Sequence, residues 1–144
     1  MSEPELKTLA EQFDAFVPNY AGYMKSCIAS VHLTLTQLNA LCAVDKHAEA
    51  SMSEIAKALR LTPYAVTKIV DALEKDTLVE RKPHPADRRS VLVQLTEVGK
   101  EFLAAGIETR MDALERMLSV LSVDERRQLD QILKKMDRQI TGDP

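Results

Sequence analysis

The stretch Arg81-Lys82-Pro83-His84-Pro85-Ala86-Asp87-Arg88-Arg89 gathers four Lys and Arg residues, two prolines and one acid into nine positions. A segment of this kind binds anions, phosphate above all, and its prolines hold it to few conformations. The other residues able to do chemistry are scattered. Among His32, His47, His84, Cys27, Cys42, Asp45 and Glu49 only Asp45 and Glu49 are spaced i, i+4, and they straddle an expected helix end. Zinc prefers converging Cys and His, so no metal site is expected, and no cofactor. Cys27 and Cys42 are too few for a disulfide framework and belong to no Cys-x-x-Cys pair. Both read as small core residues, with a redox-active thiol the weaker alternative. The sequence has no glycine-rich phosphate loop, no nucleophile triad implied by spacing and no carboxylate pair in a plausible cleft, so no enzyme is expected.

The 144 residues carry a net charge of −3, which argues against a protein that coats itself with nucleic acid. The average hides a division. Residues 1–52 hold 3 basic and 6 acidic groups, residues 53–89 hold 8 and 6, and residues 90–144 hold 8 and 10. The basic excess is therefore central, and it matters only if the fold gathers it on one face. No apolar stretch reaches the roughly 20 residues of a membrane span. The N-terminus Met1-Ser2-Glu3-Pro4-Glu5 lacks a basic and then apolar export signal, so a cytoplasmic location without membrane contact is expected.

Helices must position these groups. From Pro4 to Val31 apolar residues recur with helical spacing, and Pro18 predicts a kink, or two helices meeting near residues 17–19. Thr34 with Gln37 forms a capping box that starts a second helix, running to about Lys46 with Leu38, Leu41, Cys42 and Val44 inward, before a polar loop at 47–50. Ser51 with Glu54 opens a short helix, and after Arg60-Leu61 the pair Thr62-Pro63 opens another, to about Lys75. That helix buries Val66, Ile69, Val70 and Leu73 and turns Tyr64, Ala65, Thr67, Lys68 and Asp71 outward. Two short helices with a tight turn describe a helix-turn-helix, and an ordinary helical hairpin fits this pattern as well.

The residues after Lys75 favour the first. Leu78–Lys82 and Val91–Leu95 read as strands, while "PHPADRR" between them cannot be one, because two prolines remove ladder donors. A helix-turn-helix followed by a hairpin with a basic tip is a winged helix. Thr96 then caps a helix of about Glu97 to Ser119 whose apolar residues form a packing seam, and Ser122 with Glu125 caps a last helix with Leu129, Ile132, Leu133, Met136 and Ile140 on one face. The fold class is mainly α with a small β-hairpin. Residues 34–95 suffice for the winged helix, so 1–33 and 96–144 are read as dimerisation helices of a homodimer. Thr62, Tyr64, Thr67 and Lys68 are the candidate contacts to double-stranded DNA. A protein-interaction module, its basic loop facing an acidic surface, is the reading from another class.

At this level the chain resembles the multiple-antibiotic-resistance regulator (MarR) family of bacterial transcription factors. "LTLTQLNAL" is similar to the family's second helix, "SMSEIAKALRLTPYAVTKIVDALEKDTLVER" to its helix-turn-helix and "DRRSVLVQLTEVGKEFL" to its wing and fifth helix. The resemblance implies a repressor on a palindromic operator, with Asp87 organising the wing by pairing with an arginine. Arg88 and Arg89 would share that pairing and the minor-groove contact, in either order. It also implies release by a small aromatic or phenolic effector, for which Tyr20, Tyr23, Met24, Cys27 and Leu41 are the candidate lining or, equally, filled core. Metal- and redox-responsive members are the variants within the same fold. Arg60 and Thr77 stand where the family commonly has glycine. If either takes positive φ, the cost is on the order of 1 kcal/mol.

Overall fold

Local capping chemistry sets where most helices begin. In the computed structural model, which describes residues 3–143 with side chains from Glu5 onward, Thr34 Oγ1 accepts from the Gln37 amide and Gln37 Oε1 from the Thr34 amide. The Ser51–Glu54 and Ser122–Glu125 boxes are built in the same way. The helices are α1 (Glu3–Ala29), α2 (Leu35–His47), α3 (Met52–Leu59), α4 (Pro63–Lys75), α5 (Glu97–Leu118) and α6 (Val123–Thr141). The strands are β1 (Glu49–Ser51), β2 (Val79–Pro83) and β3 (Val91–Leu95), an antiparallel sheet in the order β1-β3-β2. The architecture is mainly helical with one small sheet, as the sequence predicts. Met1, Ser2 and Pro144, the two ends of the segments assigned to dimerisation, lie outside the described residues.

Contacts divide the chain into two compact units, one ending at Arg110 and one starting at Met111. The core of the first is Met24 and Ile28 of α1, Leu38, Leu41 and Val44 of α2, Ile55 of α3, the α4 stripe Val66, Val70 and Leu73, and Val79 and Val93 of the sheet. Gly99 lets α5 start against the chain between α4 and β2, since an added Cβ would lie 1.8 Å from the Leu78 carbonyl oxygen. In the second unit, α6 has no buried residue.

Four expectations are corrected. Pro18 does not divide the first segment: α1 continues through it, because 27 residues of helix tolerate one missing donor. The loop expected at 47–50 contains β1, whose residues Glu49, Ala50 and Ser51 pair with Gln94, Val93 and Leu92. Pro83, assigned to the hairpin tip, closes the β2 ladder opposite Val91; β2 is an edge strand, and its last position spares a donor. Ile69, expected inward, and Ala65, expected outward, are both half-buried, so the buried stripe of α4 is shifted toward Ala65, and neither Cys27 nor Cys42 is enclosed.

Candidate nucleic-acid interface

The N-terminal half of α4 faces solvent because Val66, Val70 and Leu73 point the other way into the core. Thr62 Oγ1 caps the helix by accepting from the Ala65 amide at 3.2 Å, which leaves its hydroxyl hydrogen free to donate. Thr67 Oγ1 donates to the Pro63 carbonyl at 2.9 Å, keeping its lone pairs outward. Tyr64 is 71% exposed, and Lys68 Nζ stands 4.7 Å from the centre of its ring. That cation–π contact holds the ammonium near the helix start, where the dipole also favours anions. Thr62, Tyr64, Thr67 and Lys68 thus share one exposed surface.

The hairpin brings the second group. The His84 amide donates to the Ser90 carbonyl, and the Ser90 amide to that of Asp87. Asp87 Oδ1 accepts from the Arg89 amide at 2.9 Å and its Oδ2 from Ser90 Oγ at 3.2 Å. The Ala86 amide donates to His84 Nδ1 at 3.0 Å, which requires that nitrogen to be unprotonated. Among the described residues the Asp87 carboxylate makes no ion pair with Arg88 or Arg89; both arginines are exposed, with neither guanidinium in an ion pair. The loop is held by its own backbone and leaves two cations outward.

At the wing's base stands a residue that sequence reasoning did not single out. Arg81 donates from Nη2 to Asp71 at 2.5 Å and from Nη1 to Glu74 at 2.8 Å. Burial works against its charge, but hydrogen bonds to these two acids outweigh that and hold its pKa above the ordinary arginine value. The i, i+3 acids on α4 were a visible signal; their partner depended on the strand register. On either side of it, Glu80 accepts from Gln94 and Lys82 pairs with Glu49.

The candidate effector residues are not alike in environment. Met24 and Leu41 are fully enclosed, Tyr20 and Cys27 are half-buried, and Tyr23 is partly exposed. A shallow cavity of about 330 Å³ lies between α2 and α3, lined by Asn39, Cys42, Ala43, Lys46, Ala58 and Leu59, and includes none of the five. Arg110 Nη1 donates to Asn39 Oδ1 at 3.2 Å, tying α5 to α2 beside it. Among the described residues no group of three or more His, Cys, Asp or Glu side chains is placed to hold a metal, and no helix is long and apolar enough to cross a membrane.

Known proteins share this arrangement. The MarR family model matches residues 33–91, from the entry to α2 through the wing. The HTH-type transcriptional repressor NicR of Pseudomonas putida is 36% identical over 104 residues, covering 72% of this chain and 66% of the relative. The HTH-type transcriptional repressor MdtR of Bacillus subtilis is 33% identical over 104 residues, 72% of this chain and 67% of the relative. The match to NicR thus spans just under two thirds of that protein's length. The structure of the transcriptional repressor CouR bound to a 23-mer DNA duplex superposes with a TM-score of 0.81 at 27% identity, covering 96% of this chain and 99% of that one. With the helix pair, wing and flanking helices all matched, this chain belongs to the MarR family.

Proposed function

We propose that the chain is a sequence-specific DNA-binding transcriptional repressor, acting in the cytoplasm as a homodimer on a palindromic operator and released by a small aromatic or phenolic effector. The observation that carries the DNA-binding reading is the pairing of two exposed surfaces: the Thr62, Tyr64, Thr67 and Lys68 face of α4, and the glycine-free hairpin that presents Arg88 and Arg89. Hydroxyls, an aromatic ring and an ammonium suit base edges and phosphates in the major groove. Arginines on a stiff loop suit the neighbouring minor groove, where a narrow A·T-rich stretch concentrates negative potential. The likeness to NicR, MdtR and DNA-bound CouR supports the same reading.

The homodimer rests on apolar side chains left exposed in the single chain: Leu6, Leu9, Phe13, Phe16 and Val17 on α1, and Ile132, Leu133 and Ile140 on α6. Residues 34–95 would then read DNA, with 1–33 and 96–144 joining the copies. In this reading the effector would contact Tyr20, Tyr23, Met24, Cys27 and Leu41, of which Tyr20, Tyr23 and Cys27 are not enclosed.

The test is a mobility shift with the purified chain on a duplex from upstream of its own gene, against an unrelated duplex of equal length. Salt-sensitive retention of the first alone supports the reading. Equal retention of both, or of neither, sinks it.

A further inference from the structure

Arg81 belongs to neither exposed group, yet two ion pairs and a backbone bond converge on it. Nη1 donates to Glu74 Oε1 at 2.8 Å, Nη2 to Asp71 Oδ1 at 2.5 Å, and the Arg81 amide to Glu74 Oε2 at 3.3 Å. Asp71 and Glu74 are three apart on α4 and therefore lie on one face of it. Arg81 is the third residue of β2, opposite Val93 on the central strand. A planar guanidinium gripping carboxylates on successive turns resists both rotation and sliding, which a point charge with one partner does not.

We propose that Arg81 is a positioning residue that fixes the direction of the wing relative to α4, so that the recognition helix and the wing meet DNA as one rigid reader. This role rests on the DNA binding proposed for α4 and the hairpin, and adds a residue that touches no DNA. Only Lys82 and Pro83 separate Arg81 from the loop at 84–90. The flanking strand residues are pinned as well, Glu80 to Gln94 and Lys82 to Glu49, so β2 cannot absorb a tilt at its centre. The loop beyond contains Pro85 and no glycine, so a tilt at the base is carried to Arg88 and Arg89 at the tip. Two carboxylates on the exposed side of a DNA-reading helix are otherwise a liability, since each repels phosphate. Arg81 offsets one of the two charges and turns both carboxylates into anchor points.

The acids make the proposal testable, because the rival account predicts the opposite sign. If Asp71 and Glu74 are mere surface charge, the double variant Asp71→Ala/Glu74→Ala binds the upstream duplex more tightly, having lost repulsion and freed Arg81. If Arg81 positions the wing, that variant and Arg81→Met both bind roughly tenfold more weakly, within the range of couplings measured for neighbouring groups. Hydroxyl-radical protection should then fade at the minor-groove flanks while the major-groove centre stays protected. Each change should be less than additive with Arg89→Ala and additive with Lys68→Ala. Arg81→Lys, able to keep one partner, should recover part of the loss, and circular dichroism melts check that every variant is folded. Tighter binding by the acid double variant overturns the proposal, as does protection fading equally across the site. Failure of the wild-type chain to retain the duplex removes the DNA reading itself, a different result from wild-type retention with no effect of the variants, which removes only the role of Arg81.

Discussion

A carboxylate in a loop proposed to meet phosphate needs a reason, and Asp87 has one in its hydrogen bonds. Its two oxygens hold the Arg89 amide and the Ser90 hydroxyl, which folds the tip without occupying either guanidinium. Asp87→Ala is therefore expected to weaken DNA binding, whereas a purely electrostatic loop would gain affinity from losing a negative charge. Titrations of both proteins at moderate salt decide between them, and the melting temperature should barely move because the residue is exposed. Lys68 is the complementary case. Parked over Tyr64, its ammonium is placed for a phosphate, so Lys68→Ala should lower affinity for all sequences alike and reduce the salt slope by about one. A loss of discrimination at a single base pair would instead assign Lys68 a base edge.

Among elements, the short helices show where stability is stored and where it is spent. Arg60 ends α3 in the left-handed region at φ 54°, with the Leu61 amide donating to the Ala56 carbonyl in a Schellman closure. A side chain there costs about 1 kcal/mol, so Arg60→Gly should stabilise the fold by about that much in urea unfolding, provided the guanidinium serves no other role. Glu54, in the capping box at the other end of α3, has its pKa lowered first by the Ser51 amide and then by the Ser51 hydroxyl. A depressed carboxylate contributes stability that is complete above its unfolded value of 4.5 and is lost as pH falls through the lower folded value. Glu54→Gln keeps the geometry without the charge, so its stability deficit should shrink as pH drops below 4.5, readable from melts across that range. These caps were legible in the sequence because Thr34, Ser51, Thr62 and Ser122 act within three residues. β1 was not, because three residues become a strand only when β3, some forty positions later, supplies partners. The Arg81 clamp was hidden for the same reason: it exists only once β2 lies beside α4 in one register. At Pro18 only the division into two helices failed, since one missing hydrogen bond does not end the helix around it.

For the whole molecule, the exposed apolar faces of α1 and α6 predict a dimer at micromolar concentration by light scattering, and a stable folded monomer there would remove the two-fold operator with it. Removing residues 123–144 should abolish or weaken association and reduce solubility. α6 has a further consequence. It is 19 residues long, has a capping box at one end and Gly142 at the other, and buries none of its side chains within its own chain. A helix so placed gains little from burial in its own chain, so in the homodimer proposed above its persistence would depend on the partner copy. If that homodimer forms, mass action would tie the folded state to abundance, each tenfold dilution costing the assembled form about 1.4 kcal/mol relative to separated chains. A dividing cell that halves the number of copies would lose operator occupancy more steeply than in proportion, and the surplus single chains, with Ile132, Leu133 and Ile140 uncovered, would be the ones that proteases meet first. The last helix would in that way act as a census of its own gene's output, keeping the proposed repressor either well stocked or quickly cleared.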